Sequence, residues 1–229
     1  MCYTIEKNLT REQLELRFGA AFKHNRPYSP GKRVSGFSLP EVPVIKLESP
    51  ESIDAISWGL IPFWVKNSQQ AADIRTKTLN AKAETLLEKP SFRHTLKSQR
   101  CLLLTNGFYE WQHLGKIKIP YFISLKDDIA MPMAGLYDYW TNNNTGEVVE
   151  SFTIVTTAAN ALMEKIHNSK KRMPVIFTKE TEKIWIDPDL STERALSLLV
   201  PLKDDLLFAE RVDDSGSDLS GKVMQKNLF

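Results

Sequence analysis

The chain has 229 residues, 42% of them hydrophobic and 25% charged, and a formal net charge of only +2. This is the composition of a soluble globular protein, long enough for one large domain (1–229), with no bulk sign of nucleic-acid binding beyond what a local basic face could supply. Two cysteines, Cys2 and Cys101, form neither a disulfide framework nor a zinc cluster. No apolar run reaches membrane-spanning length and no signal-peptide core is present, so a reduced, soluble, cytoplasmic protein is expected; a monomer without metal or cofactor is a separate expectation.

In chain order, Thr10 to Gln13 reads as a capping box opening a short helix, with Leu9 and Leu14 in the staple positions. Residues 26–43, rich in Pro, Gly and Ser, read as a long ordered loop. Strands are predicted at 53–60, 100–111, 119–125, 130–140, 147–156, 173–177 and 207–212. The run Asn142-Asn143-Asn144-Thr145-Gly146 makes a hairpin loop between two of them. Helices are predicted at 83–88, 159–166, 181–185 and 192–199. Strands dominate and are mostly adjacent in sequence, which predicts an α+β fold with an antiparallel, barrel-like or sandwiched β core and peripheral helices.

The most informative residue is Cys2, directly behind Met1. Loss of Met1 would leave a 1,2-aminothiol. With the amine pKa at about 7.7–8.0 and the thiol at about 8.5, a useful fraction of each is nucleophilic near neutrality. Such a residue can attack an aldehyde through nitrogen and close a five-membered ring through sulfur. Glu110 sits among Phe108, Tyr109 and Trp111, where desolvation would raise its pKa toward that of a general acid or base. The competing reading is an exposed strand glutamate. His167, after a helix and before the basic run Lys170, Lys171 and Arg172, can shuttle a proton, or simply cap its helix. His24, His94 and His113 make weaker cases. Asn80 suits a turn or a helix N-terminus, facing a ligand or acting as a plain cap. Trp58 is expected in the core, with Phe63 and Trp64 on a loop beside Lys66, suited to base stacking or to plain packing.

Taken together, Cys2, Trp58-Gly59-Leu60-Ile61-Pro62, Asn80-Ala81-Lys82-Ala83-Glu84-Thr85, Gly107-Phe108-Tyr109-Glu110-Trp111, Ala134-Gly135-Leu136-Tyr137 and His167 followed by Arg172-Met173-Pro174-Val175-Ile176 resemble, in order, the SOS-response-associated peptidase family. The resemblance runs from Cys2 to about Phe177. It implies an abasic-site sensor that binds single-stranded DNA, removes its own Met1 and joins Cys2 to the abasic aldehyde as a thiazolidine. It implies that Glu110 is the general acid/base, that His167 assists sugar opening, and that Asn80 holds the sugar and Cys2. Trp64 would stack on a base, and Lys82 and Arg172 would hold phosphates.

The chain departs from the family pattern in four places. Tyr3-Thr4 follows Cys2 where Gly-Arg is usual, so an Arg expected at the DNA backbone is missing and Tyr3 crowds the entrance. Lys82 replaces an Arg and loses its bidentate geometry. Arg172 lies five residues after His167 instead of two. The stretch around Phe37 to Pro40 lacks an expected Asn. Two alternatives stay open on the residues alone: an N-terminal-nucleophile peptidase or amidase using Cys2 and Glu110, and a silent DNA-binding module.

Overall fold

The computed structural model describes residues 2–23 and 27–213; Met1 and His24 lie outside the described residues. Its centre is a closed barrel of five strands: β4 (Glu41–Lys46), β5 (Ser49–Trp58), β7 (Arg100–Thr105), β10 (Met131–Thr141) and β11 (Val148–Ala158). The pairs β11–β10, β10–β7, β7–β4 and β4–β5 are antiparallel. Closure is made by a short parallel pairing of β11 with β5, Ser151 opposite Ser57 and Phe152 opposite Trp58. The expected barrel-like α+β core is therefore present, with a parallel seam that the antiparallel expectation did not include.

Alternation along these strands divides the apolar residues into two sets. Val44, Trp58, Leu103, Met133, Phe152 and Ile154 belong to one buried cluster. Ile45, Ile53, Leu102, Leu104, Leu136 and Val155 belong to another. Successive strand residues point to opposite faces, so the first set fills the barrel and the second coats it. Helices cover that coat: α1 (Arg11–Phe18) supplies Leu14, α3 (Thr95–Ser98) Leu96, α5 (Lys179–Trp185) Trp185 and α6 (Thr192–Ser197) Ala195. Every residue of β7 is consequently buried, which explains its unbroken Cys101 to Leu104 run.

A second sheet, ordered β13 (Leu207–Arg211), β9 (Ile117–Leu125), β8 (Gly107–Leu114), β1 (Thr4–Lys7) and β3 (Gly31–Ser35), packs on the barrel through Ile5, Phe108 and Ile123. The strand expected over 100–111 is thus two strands in two sheets. They part at Asn106, whose amide N–H bonds Glu6 O at 2.9 Å and whose side-chain oxygen accepts from Asn8 N–H. Gly107 then allows an unusually close approach of β9: a Cβ there would fall 2.2 Å from Ile123 O.

Three further expectations are corrected. The supposed loop at 26–43 contains β3 and the start of β4; positive φ at Arg33 (48°) and Leu39 (52°) and the turn Gly36–Ser38 give it a loop-like sequence. Asn80 opens neither a helix nor a turn. It begins β6 (Asn80–Lys82), which runs parallel to β11 from Ile154 onward, beyond the reach of β5. The helix expected at 83–88 is a single 3-10 turn, Ala83–Thr85. Strands β1, β2 (Ala21–Phe22) and β4 and helices α2 (Ser68–Arg75) and α3 were not anticipated. Helix α2 buries only Ala71, so it has no apolar stripe to betray it. Helix α4 (Ala161–Ile166) and strand β12 (Arg172–Pro174) flank the His167 loop.

Candidate functional site

Cys2 is fully buried at the entry to β1. Its carbonyl accepts a hydrogen bond from Asn80 Nδ2 at 2.9 Å. In β6, Asn80 and Lys82 share one face while Ala81 is buried on the other, so the strand aims the amide at Cys2 and leaves Lys82 exposed. The other end of the amide is notable: Asn80 Oδ1 is buried and has no hydrogen-bond partner among the described residues. An acceptor left in this way is costly unless a ligand donor meets it.

Glu110 lies on β8, which pairs with β1 through Thr4 opposite Tyr109. The strand reading for Glu110 is right, but exposure is not: it retains 7% of its surface. Burial lifts its carboxyl from 4.5 to about 7. Its Oε1 stands 3.6 Å from His167 Nδ1. The Cys2 thiol is pushed up as well, first by burial and then by the nearby Glu110 charge.

His167 caps α4 with its backbone and is buried. Its Nδ1 lies 2.8 Å from Arg172 O. A carbonyl only accepts, so Nδ1 carries the hydrogen and Nε2 is the basic nitrogen. Burial pushes the His167 pKa down, favouring this neutral form. The three additional residues before Arg172 are absorbed by a turn: Lys170 and Lys171 N–H groups return to His167 O at 3.3 and 2.8 Å, with Lys171 at φ 50°. The loop is also stitched to β8. Asn168 exchanges two hydrogen bonds with the His113 backbone, at 3.0 and 2.8 Å, and Gln112 Nε2 donates to Lys165 O at 3.0 Å. These ties hold His167 against Glu110. Glu110, Trp111, His113, Lys118, His167 and Ser169 line a cleft of about 260 Å³.

Cys2, Asn80, Glu110 and His167, far apart in sequence, therefore converge. The residues expected to contact DNA are arranged differently. Arg172 does not stand free: its guanidinium is bidentate on Glu84, at 2.6 and 2.9 Å, and donates to Thr156 O at 2.7 Å. Its Nε, also buried, has no partner among the described residues. Sequence reasoning passed over Glu84, although its place two residues after Lys82 put it in the same motif. Trp64 is 44% exposed on its loop, as expected, and lines a separate cleft of about 440 Å³ with Phe63, Pro90, Arg93 and His94. Behind it, buried Asp138 accepts from Phe63 N–H and meets His94 Nε2, both at 2.9 Å. Trp58 is buried in the core. Among the described residues no group of acidic, His or Cys side chains could hold a metal ion, and no helix is long and apolar enough to cross a membrane.

A family model described as SOS response associated peptidase (SRAP) matches residues 1–215. The chain is 43% identical over 171 residues to abasic site processing protein YoqW of Bacillus subtilis, covering 74% of this chain and 73% of the relative. It is 34% identical over 170 residues to abasic site processing protein HMCES of Xenopus tropicalis, covering 66% of this chain and 50% of the relative. A crystal structure of a protein from Bacteroides thetaiotaomicron superposes with a TM-score of 0.88 at 37% identity, covering 93% of each chain.

Proposed function

Because the chain belongs to the SOS response associated peptidase family, with relatives named abasic site processing proteins, we propose that it acts on abasic sites in single-stranded DNA by forming a covalent adduct through Cys2. The observation that carries this reading is the convergence on Cys2: Asn80 holds its carbonyl at 2.9 Å, and Glu110, at a pKa of about 7, lies close enough to raise the thiol.

In this reading Met1 is removed by the protein itself, exposing the Cys2 α-amine. The ring-opened abasic sugar presents an aldehyde at C1′. Burial and Glu110 keep the Cys2 thiol protonated, so the amine attacks first. Glu110 then donates its proton to the carbinolamine hydroxyl, water leaves, and an iminium forms. The thiol adds to the iminium carbon, its proton passing to the Glu110 carboxylate as the C–S bond closes the thiazolidine. One water is lost overall and Glu110 ends protonated, as it began. A carboxyl titrating near neutrality serves both steps. Holding amine, thiol and aldehyde together makes them intramolecular, an advantage of up to about 7–11 kcal/mol.

His167 Nε2 takes the proton from the C1′ hydroxyl as the C1′ to ring-oxygen bond breaks, and returns it to the departing ring oxygen. The vacant Asn80 Oδ1 accepts from the Cys2 amine. Trp64 stacks on a base and Lys82 holds a phosphate. Arg172 reaches a phosphate once its hold on Glu84 is exchanged.

The test is intact-mass spectrometry after incubation with an abasic single-stranded oligonucleotide, alongside Cys2→Ala. The expected product is the chain without Met1, plus the oligonucleotide, less one water, and absent from Cys2→Ala. A wild-type protein that loses Met1 yet forms no adduct overturns the proposal.

A further inference from the structure

The rings of Tyr3 and Phe37 meet with centroids 5.0 Å apart and planes inclined at 34°. These two residues are also where the chain departs from the family pattern, at the position after Cys2 and at the start of the Phe37 to Pro40 stretch. The structure makes one feature of the two departures. Tyr3 follows Cys2 directly, and its hydroxyl is pushed upward by burial, with Glu110 and Cys2 adding to the effect. Phe37 points outward, 58% exposed.

A lone exposed Phe is ordinary on a protein surface. Phe37 differs because the turn that carries it is held firmly. Gly36 N–H donates to Tyr3 O at 2.8 Å, and Thr4 pairs with Ser35. Ser35 Oγ accepts from Phe37 N–H at 3.3 Å, and Ser38 Oγ donates to Ser35 O at 2.7 Å. Beneath it, a Cβ on Gly36 would lie 3.0 Å from the Trp58 ring, so the turn rests on the core. The aromatic pair is a fixed surface running from the reacting residue to solvent; exposed Lys32 precedes it on β3, while Arg33 turns away, its guanidinium 5.1 Å from the Tyr109 ring centroid.

We infer that Tyr3 and Phe37 form a stacking platform for the nucleobase next to the abasic sugar. The inference rests on the abasic-site reading above. A sugar bonded to Cys2 places its neighbouring nucleotide beside the residue that follows Cys2. Stacking on aromatic rings tolerates any base and is strong enough to matter for affinity. The platform therefore sets affinity for the flanking nucleotide without reading its identity in detail. Purines, with more ring surface, are favoured over pyrimidines.

The experiment separates stacking from crosslinking. Cys2→Ala protein is titrated with a single-stranded oligonucleotide carrying an inert tetrahydrofuran abasic analogue, with 2-aminopurine placed on one side of it or the other. Fluorescence should be quenched on binding for one of the two placements. Phe37→Ser in the same background should abolish that quench and weaken binding about tenfold, the effect of losing one stacked base. Phe37→Trp should restore both. Quench and affinity that survive Phe37→Ser, or an absence of quench at both placements, overturn the inference. If the wild type forms no adduct with a true abasic site while Phe37-dependent quenching persists, the covalent reading fails and the platform stands.

Discussion

Asn80 Nδ2 donates to the Cys2 carbonyl at 2.9 Å while the oxygen of the same amide is buried without a partner among the described residues. One side chain thus fixes Cys2 and leaves a vacant acceptor beside it. Asn80→Ala loses the hydrogen bond to Cys2 O but also removes the orphaned acceptor, so stability should change by less than about 1 kcal/mol, measured by urea denaturation. The variant should slow adduct formation at least about tenfold, the equivalent of a larger energy in the transition state. Asn80→Asp should do worse on both counts, because it puts a carboxylate against a carbonyl and near Glu110.

Glu110 predicts a pH dependence of stability. Burial raises its pKa from 4.5 to about 7, so the folded state disfavours the ionised form. The native state therefore loses stability as pH rises from the unfolded value through about 7, by up to about 3 kcal/mol. His167 acts in the opposite direction: its lowered pKa favours the neutral imidazole, and that contribution is lost as pH falls below its unfolded value. The comparison that isolates Glu110 is wild type against Glu110→Gln, since both keep His167. The variant should gain on the wild type between pH 4 and pH 8, followed by thermal or urea unfolding. A constant difference across that range would show that Glu110 does not titrate there. For adduct formation, the wild-type rate should fall at high pH as Glu110 loses its proton, and Glu110→Gln should be slow without that alkaline limb.

Much of this site was legible because its residues carry their chemistry in short blocks. The aromatics around Glu110 announced its desolvation, and the strand period placed Trp58 in the core. What the sequence concealed are relations between distant segments. Nothing local says that Glu84 takes the guanidinium of Arg172, or that Asn168 ties the His167 loop to β8. Asn80 looked like a cap because three strand residues, Asn80 to Lys82, are too few to show a period; their conformation comes from the edge of β11 that β5 leaves open. The 100–111 run looked continuous because both of its strands are apolar, and the change of sheet is made by one glycine and one asparagine side chain.

That glycine gives a stability prediction. A Cβ at Gly107 would lie 2.2 Å from Ile123 O and 2.8 Å from the Phe122 ring, so backbone must move to admit it. Gly115 has nothing within 4 Å but sits at φ +62°. Gly107→Ala should cost about 3 kcal/mol through overpacking, and Gly115→Ala about 1 kcal/mol through the left-handed backbone alone. Urea midpoints of the two variants measure the difference. Equal losses would mean that β8 and β9 can separate cheaply, and Glu110 would then lack a rigid support.

The ion pair between Glu84 and Arg172 bears on the proposed DNA binding. Arg172 keeps 14% of its side-chain surface exposed and Glu84 keeps 50%, so the pair sits at the boundary of the site and its partner is accessible to exchange. Such a pair contributes at most about 1 kcal/mol to folding, and Glu84→Gln should leave the fold intact. It should also remove one negative charge beside Lys82 and release Arg172 toward phosphate. Affinity for single-stranded DNA should rise several-fold at low salt. The slope of log affinity against log salt should steepen by about 0.7, the value for one added phosphate contact on a single strand. Arg172→Ala in the Glu84→Gln background should return the slope to its starting value. A slope unchanged by Glu84→Gln would mean that Arg172 serves only to hold Thr156 and the His167 loop in place, leaving the phosphates to Lys82.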